Sequence, residues 1–229
     1  MFSRILTKKS TETYSERISR LRQTLDEADA VVIGAGAGLS TSAGLTYSGE
    51  RFQKNFGDFI QKYGIQDMYS GGFYPFETLE EHWAWWSRHI MVNRYEKAPK
   101  PVYEKLFELV KNKDYFVLTT NVDLSFSLPG LIKRGCFIRK VTMACGSAAS
   151  HVVKRHMITK KSFAAWLLTR RICVYQLILS HTVRSCGEPM TMNLRCDNTF
   201  VQDEGWYEAA HRYEDLCAAI QGMKILFLE

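Results

Sequence analysis

The stretch Ala30-Val31-Val32-Ile33-Gly34-Ala35-Gly36-Ala37-Gly38-Leu39-Ser40-Thr41-Ser42-Ala43-Gly44 decides the fold of this chain. Its opening residues form a short, unbroken apolar run, as expected of a strand buried on both faces of a parallel sheet. The glycines that follow let the backbone turn sharply, and a helix begins within the segment. Backbone N–H groups at such a strand-to-helix turn, reinforced by the helix dipole, suit a phosphate or pyrophosphate. The dinucleotide fingerprint G-x-G-x-x-G nevertheless fails in both registers. Counted from Gly34 the third glycine falls on Leu39, and counted from Gly36 it falls on Thr41. The turn therefore reads as a phosphate site of another kind. A tight crossover that merely needs small residues is the alternative.

On either side of the turn, helical and strand patterns alternate. Thr13-x-x-Glu16 is a capping box, and Tyr14, Ile18, Leu21 and Leu25 follow at helical spacing. Between Tyr47 and Glu96 the chain is rich in aromatics, among them Phe52, Phe56, Phe59, Phe73, Tyr74, Phe76, Trp83, Trp85 and Trp86, which read as the core of a helical insertion. His82, beside the tryptophans, reads as a helix-face or core neighbour rather than a catalyst. Pro101 opens a helix with Val102, Phe107, Leu109 and Val110 on its apolar side. Tyr115 to Thr120 is a second strand, ending at Asn121-Val122-Asp123. Trp206, Ala210, Tyr213, Leu216, Cys217 and Ile220 form a last helical stripe closed by Gly222, and Lys224 to Leu228 reads as a third buried strand. The expected class is α/β: a partial doubly wound, Rossmann-like parallel sheet with a helical, aromatic insertion and a disrupted small zinc-type domain. Residues 1–45, 100–123 and 205–229 would build the Rossmann-like part, 46–99 the helical module beside the cofactor, and 124–204 the small domain.

Composition narrows the function classes. At 229 residues and 46% apolar, the chain can bury a substantial core and is not a disordered or fibrous sequence. No apolar run approaches the roughly 18 residues of a membrane span, and the first residues lack the apolar core of a secretory signal. Six cysteines in a chain of this length are not a disulfide scaffold, so a reducing, cytoplasmic setting is expected. The net charge of +6 would raise the question of nucleic acid, but the excess belongs to one block. Leu124 to Ser185 carries 11 of the 30 basic residues and none of the 24 acidic ones. At the rate found elsewhere in the chain, 62 residues without an acid would arise on the order of once in 10,000.

Several segments together resemble the sirtuin family. Gly36-Ala37-Gly38-Leu39-Ser40-Thr41-Ser42-Ala43-Gly44-Leu45 resembles that family's nucleotide-binding opening, and Thr120-Asn121-Val122-Asp123 its second signature beside the nicotinamide pocket. Tyr47-Ser48-Gly49-Glu50-Arg51-Phe52, Met190 to Arg195 and Phe200 to Trp206 resemble the macrodomain-linked class M members. The resemblance covers about 14–123 and 186–229. It implies NAD as cofactor and ADP-ribosylation of lipoyl-carrier proteins, with a macrodomain protein as partner. Gly36, Ala37, Gly38 and Ser40 would meet the NAD phosphates and ribose. Arg51 and Phe52 would sit on the cofactor-binding loop over the cleaving bond. Asn121, Val122 and Asp123 would line the nicotinamide side, with Asn121 and Asp123 catalytic. Breaking the nicotinamide–ribose bond develops oxocarbenium character, which needs a dry pocket and polar groups near the ribose. For Asn121 and Asp123 a plain strand-end turn is the competing reading.

The basic block departs from the family pattern, and its codons suggest why. Joining the third base of each codon to the first two of the next permits G-D-Y-G-L-W across Lys140 to Ser147. It permits cysteine near 147 and 152, and P-Y-C across Ser180 to Val183. We therefore expect two compensating frameshifts, near 124–128 and near Ser185, and a chain truncated at its C-terminus relative to the family. Only Cys186 stands where a family zinc ligand would; four ligands are needed, so no bound zinc is expected. The resulting expectation is a class M sirtuin that keeps its NAD turn and loses catalysis. A basic nucleic-acid module fused to a nucleotide fold is the alternative from another class, disfavoured by scattered dibasic pairs with few stacking aromatics. An NAD-dependent lysine deacylase is the third, and it lacks the usual histidine.

Overall fold

A computed structural model describes residues 12–119, 121, 136–138, 146–148, 170–171, 174–175, 190–192, 202 and 204–229. Helix α1 (Tyr14–Glu27) opens on the expected capping box: the Thr13 N–H donates to the Glu16 carboxylate at 2.7 Å, and the Glu16 N–H to the Thr13 hydroxyl at 3.3 Å. The apolar run forms strand β1 (Ala30–Ala35), and the glycine turn leads into helix α2 (Ala37–Ser42). Helices α3 (Glu50–Tyr63), α4 (Met68–Gly71) and α5 (Leu79–Ile90) follow, and α5 runs into a π-helical turn at Met91–Tyr95. Helix α6 (Val102–Val110) starts after Pro101 and delivers the chain to strand β2 (Asp114–Thr119). Short strands β3 (Cys136–Ile138), β4 (Gly146–Ala148), β5 (Arg170–Arg171), β6 (Val174–Tyr175) and β7 (Met190–Met192) precede helix α7 (Glu204–Ala219) and strand β8 (Ile225–Leu228).

The main sheet is parallel throughout, in the order β3-β2-β1-β8. Central β1 pairs Ala30 with Asp114 on one side and with Ile225 on the other. Val31, Ile33, Tyr115 and Val117 pack with Ala43, which caps the end of α2, and with Tyr103 and Val110 of α6, while Phe116 packs with Ala209 of α7. Apolar residues thus leave both sheet faces and meet helices on each, the doubly wound arrangement expected of Val31-Val32-Ile33. Strands β4 with β7 and β5 with β6 form two small antiparallel pairs.

Four expectations change in detail. Strand β8 is the edge of the main sheet among the described residues and only half-buried, with Phe227 69% exposed, because only β1 flanks it. On α6 the buried stripe is Tyr103, Leu106, Phe107 and Val110, at i, i+3, i+4 and i+7; Leu109 falls outside it and is 58% exposed. The apolar stripe of α1 buries no residue fully, and only Leu25 reaches the sheet core. Cys217, placed on the α7 stripe, is an exposed free thiol.

The aromatic stretch builds a second core, from which Phe73, expected inside it, is left out and is 54% exposed. Phe52, Phe56 and Phe59 of α3 interlock with Trp83, Trp85 and Trp86 of α5, with Met68 and Met192 completing the cluster. Helix α5 is buried all round from Trp83 onward because it runs through the middle of this module. Gly71 leaves the room for Trp85: a Cβ there would lie 2.1 Å from the indole. Arg88 makes a fork-like pair with Asp58, at 2.5 and 2.7 Å, and its guanidinium lies over the Phe56 and Phe59 rings. His82 is half-buried and edge-on to Trp83, in keeping with a packing role.

Candidate functional site

The site forms where the C-terminal ends of β1 and β2 lie side by side. This is where ligands bind in open parallel sheets. Ala37 and Gly38 begin α2, at positions whose N–H groups have no carbonyl partner within a helix. Gly36 has an ordinary negative φ of −111°, so the backbone does not require glycine there. Nor does packing among the described residues: a Cβ added at Gly36 or at Gly38 would meet none of their atoms within 4 Å. Among the described residues nothing crowds these glycines, which favours a phosphate turn over a plain crossover. They leave an open, Cβ-free backbone surface of the kind a pyrophosphate can approach.

The contrast with Gly44 is informative. Its φ is +90°, and a Cβ there would press against the Pro99 ring at 3.0 Å. That glycine is structural, seating the exit of α2 on the segment before α6. The Ser40 hydroxyl lies 3.2 Å from the buried Tyr103 hydroxyl, a second tie between α2 and α6.

Strand β2 braces the turn from the other side. The Thr119 hydroxyl donates to the Ala35 carbonyl at 2.9 Å and accepts the Asn121 N–H at 3.0 Å. The buried Asn121 amide then donates to the Gly36 carbonyl at 2.7 Å. Asn121 therefore stands at the glycine turn, one of its donors committed to holding it. Val122 and Asp123, expected on the nicotinamide side, lie outside the described residues, as does Cys186. Among the described residues no group of His, Cys, Asp or Glu is arranged to hold a metal ion.

Arg51 and Phe52 lie on helix α3, not on a loop. The Phe52 ring is 2% exposed and belongs to the aromatic core. The Arg51 guanidinium is turned inward. Its Nη1 donates to the Thr46 carbonyl at 2.9 Å and to Asn93 Oδ1 at 2.8 Å, and its Nη2 donates to the Val92 carbonyl. Burial lowers the Arg51 pKa, and Glu96 partly opposes that shift. Nearby, His89 is fully enclosed between Tyr47, Trp85 and Trp86, and neither ring nitrogen has a hydrogen-bond partner among the described residues. Burial, with help from the Arg51 charge, pushes its pKa down to about 3, so the ring is neutral. Thr119, Tyr103, Asn93 and His89 were not singled out from the sequence. Thr119 adjoins the Asn121 motif, but the others are placed only by tertiary packing.

The fold resembles a Sir2 homologue solved with NAD, at a TM-score of 0.54 and 14% identity, covering 91% of this chain and 71% of that one. A Sir2 homologue variant solved with 2′-O-acetyl ADP-ribose aligns at 0.52 and 15%, over 91% and 72%. In sequence, the chain is 31% identical over 210 residues to a protein ADP-ribosyltransferase of Staphylococcus aureus, covering 91% of this chain and 67% of that protein. The chain belongs to the sirtuin family. Two further relatives are an NAD-dependent protein deacylase of Thermus thermophilus and a Fusarium oxysporum protein named "Probable bifunctional ADP-ribose hydrolase/ADP-ribosyltransferase". They are 30% and 36% identical, over 57% and 49% of this sirtuin, which spans 52% and 19% of their lengths. No family model matches the sequence.

Proposed function

We propose that this sirtuin binds NAD across the glycine turn and that its reaction class is cleavage of the nicotinamide–ribose bond with transfer of ADP-ribose to a protein. The observation that carries the reading is the open backbone at Gly36 and Gly38, where neither φ nor packing calls for glycine. The residues present fit the cofactor. N–H groups at the start of α2 would take the phosphates, and Asn121 holds the turn in shape from β2. NAD would supply the electrophilic ribose carbon. The protein's part is to fix the phosphates, exclude water and orient the nicotinamide side.

Lipoyl-carrier proteins as acceptors, a macrodomain protein as partner and a cytoplasmic setting belong to the same proposal. The name of the Fusarium relative, which joins an ADP-ribose hydrolase to an ADP-ribosyltransferase, supports a partner that removes the modification. No helix among the described residues is long and apolar enough to cross a membrane.

A second reading concerns 124–185. Eleven basic residues without one acid favour a segment read out of frame, with zinc binding and turnover lost while the NAD turn persists. One experiment addresses both. The folded protein is incubated with NAD labelled in the nicotinamide ring, with binding followed by calorimetry. Binding with nicotinamide release supports an active transferase, and binding without release supports the frame-shifted remnant. A folded protein that does not bind NAD contradicts the proposal itself. Resequencing the DNA around codons 124–128 and 185 tests the frame directly.

A further inference from the structure

We propose that Arg51 is a positioning residue: it clamps the segment Thr46–Gly49, between α2 and α3, onto the π-helical turn and does not itself contact the cofactor. The inference rests on the NAD reading, because that segment is the exit of the NAD turn. Its geometry, however, stands on three separate groups.

The first is the π turn. Inserting one residue into a helix shifts the hydrogen-bond ladder, marked here by the Glu96 N–H reaching back to the Met91 carbonyl, and leaves a neighbouring carbonyl without its α-helical donor. The Val92 carbonyl, in that turn, accepts from Arg51 Nη2. The second is Asn93, 3% exposed, whose oxygen accepts from Arg51 Nη1 while its amide donates to the His89 carbonyl at 3.0 Å. Asn93 thereby orients the acceptor that Arg51 needs. The third is the segment itself. Its Thr46 carbonyl is held by Arg51 Nη1, and its Tyr47 carbonyl accepts the Met68 N–H at 2.9 Å. Ser48, Gly49 and Glu50 form the exposed tip, with Gly49 at φ +70°. One guanidinium thus ties a segment leaving the NAD turn to a turn more than 40 residues away, using the planar, multi-donor geometry that lysine lacks.

The test uses the full-length protein with Arg51→Lys and Asn93→Leu, read by amide hydrogen exchange with and without NAD and by NAD titration. Asn93 lies at the far end of the clamp, so its loss should imitate loss of Arg51. The amides that report on the segment are those of Met68 and Gln53, which donate to the Tyr47 and Gly49 carbonyls. Both variants are expected to speed their exchange on the order of tenfold, as when a charge-assisted hydrogen bond is lost, while β1 and β2 exchange at wild-type rates. Both should also weaken NAD binding to a similar degree. Weaker NAD binding in Arg51→Lys alone, with exchange at Met68 and Gln53 unchanged in both variants, would make Arg51 a direct ligand and overturn the proposal. Faster exchange spread over the whole protein would reduce Arg51 to general stability and overturn it equally. If the wild-type protein does not bind NAD, the functional reading fails, and exchange at Met68 and Gln53 in the two variants still decides the clamp.

Discussion

Replacing His89 with leucine should make the protein less sensitive to acid. The imidazole is fully buried with neither nitrogen hydrogen-bonded among the described residues, and its pKa falls from the ordinary 6.5 to about 3. Between those two pH values the unfolded chain carries a proton on this ring that the folded protein refuses. Stability is therefore complete above about pH 6.5 and declines as pH falls toward 3. The loss grows by up to about 1.4 kcal/mol per pH unit and reaches about 2 kcal/mol at pH 5. Leucine has a similar volume and no polar atoms to strand, so His89→Leu should be neutral or slightly stabilising at pH 7.5. Urea unfolding followed by tryptophan fluorescence, at pH 7.5 and pH 5.0 for both proteins, measures the difference. The wild-type protein should lose about 2 kcal/mol more than the variant on acidification. Equal losses in the two proteins would show that His89 keeps its proton or finds a partner in the fold, and the reasoning would fail.

Gly71→Ala should destabilise by about 3 kcal/mol, since its methyl group would lie inside the fully buried Trp85 ring; a thermal melt checks this, and a change below about 1 kcal/mol would contradict it. Arg88→Ala strips Asp58 of its fork-like partner and removes a cation from the faces of Phe56 and Phe59, at a cost of about 3 kcal/mol in urea unfolding, the low end for buried pairs because Asp58 is partly exposed. Asn121→Ala removes the side-chain donor to the Gly36 carbonyl and leaves it only the Leu39 N–H; about 1 kcal/mol of stability should be lost, with faster hydrogen exchange confined to the turn and a drop in NAD affinity.

The sheet was legible in the sequence because its signals are local. A four-residue apolar run, a glycine turn and a capping box each specify their own backbone without knowledge of the rest. Helix α6 shows the limit. Leu109 is apolar and adjacent to Val110, yet the stripe that meets the sheet runs through Tyr103, and only the packed structure distinguishes the two flanks. Candidate site residues divide the same way. Gly36 and Gly38 were readable as a phosphate turn or as a crossover that merely needs small residues; the open space around their α-carbons among the described residues favours the first. Asn121 was found by its motif, but its hydrogen bond to Gly36, across 85 positions, is a tertiary fact. Arg51 and Phe52 were read from a motif as loop residues and are helical instead, because Gly49 starts α3 one residue before Glu50. His89 carried no signal, since nothing in Trp85-Trp86-Ser87-Arg88-His89 says that the helix is enclosed on every side.

The central claim is that Gly36 and Gly38 are glycine for a ligand's sake. Gly38→Ala tests it most directly, with melting temperature and NAD affinity measured on the same sample. Alanine at this helical position should raise stability by up to about 1 kcal/mol, because glycine is the poorer helix former and the methyl group meets no atom of the described residues within 4 Å. NAD affinity should fall at least about tenfold, as the methyl group would fill the space where the proposed pyrophosphate lies. Unchanged NAD affinity in a variant that melts at or above the wild-type temperature would contradict the account.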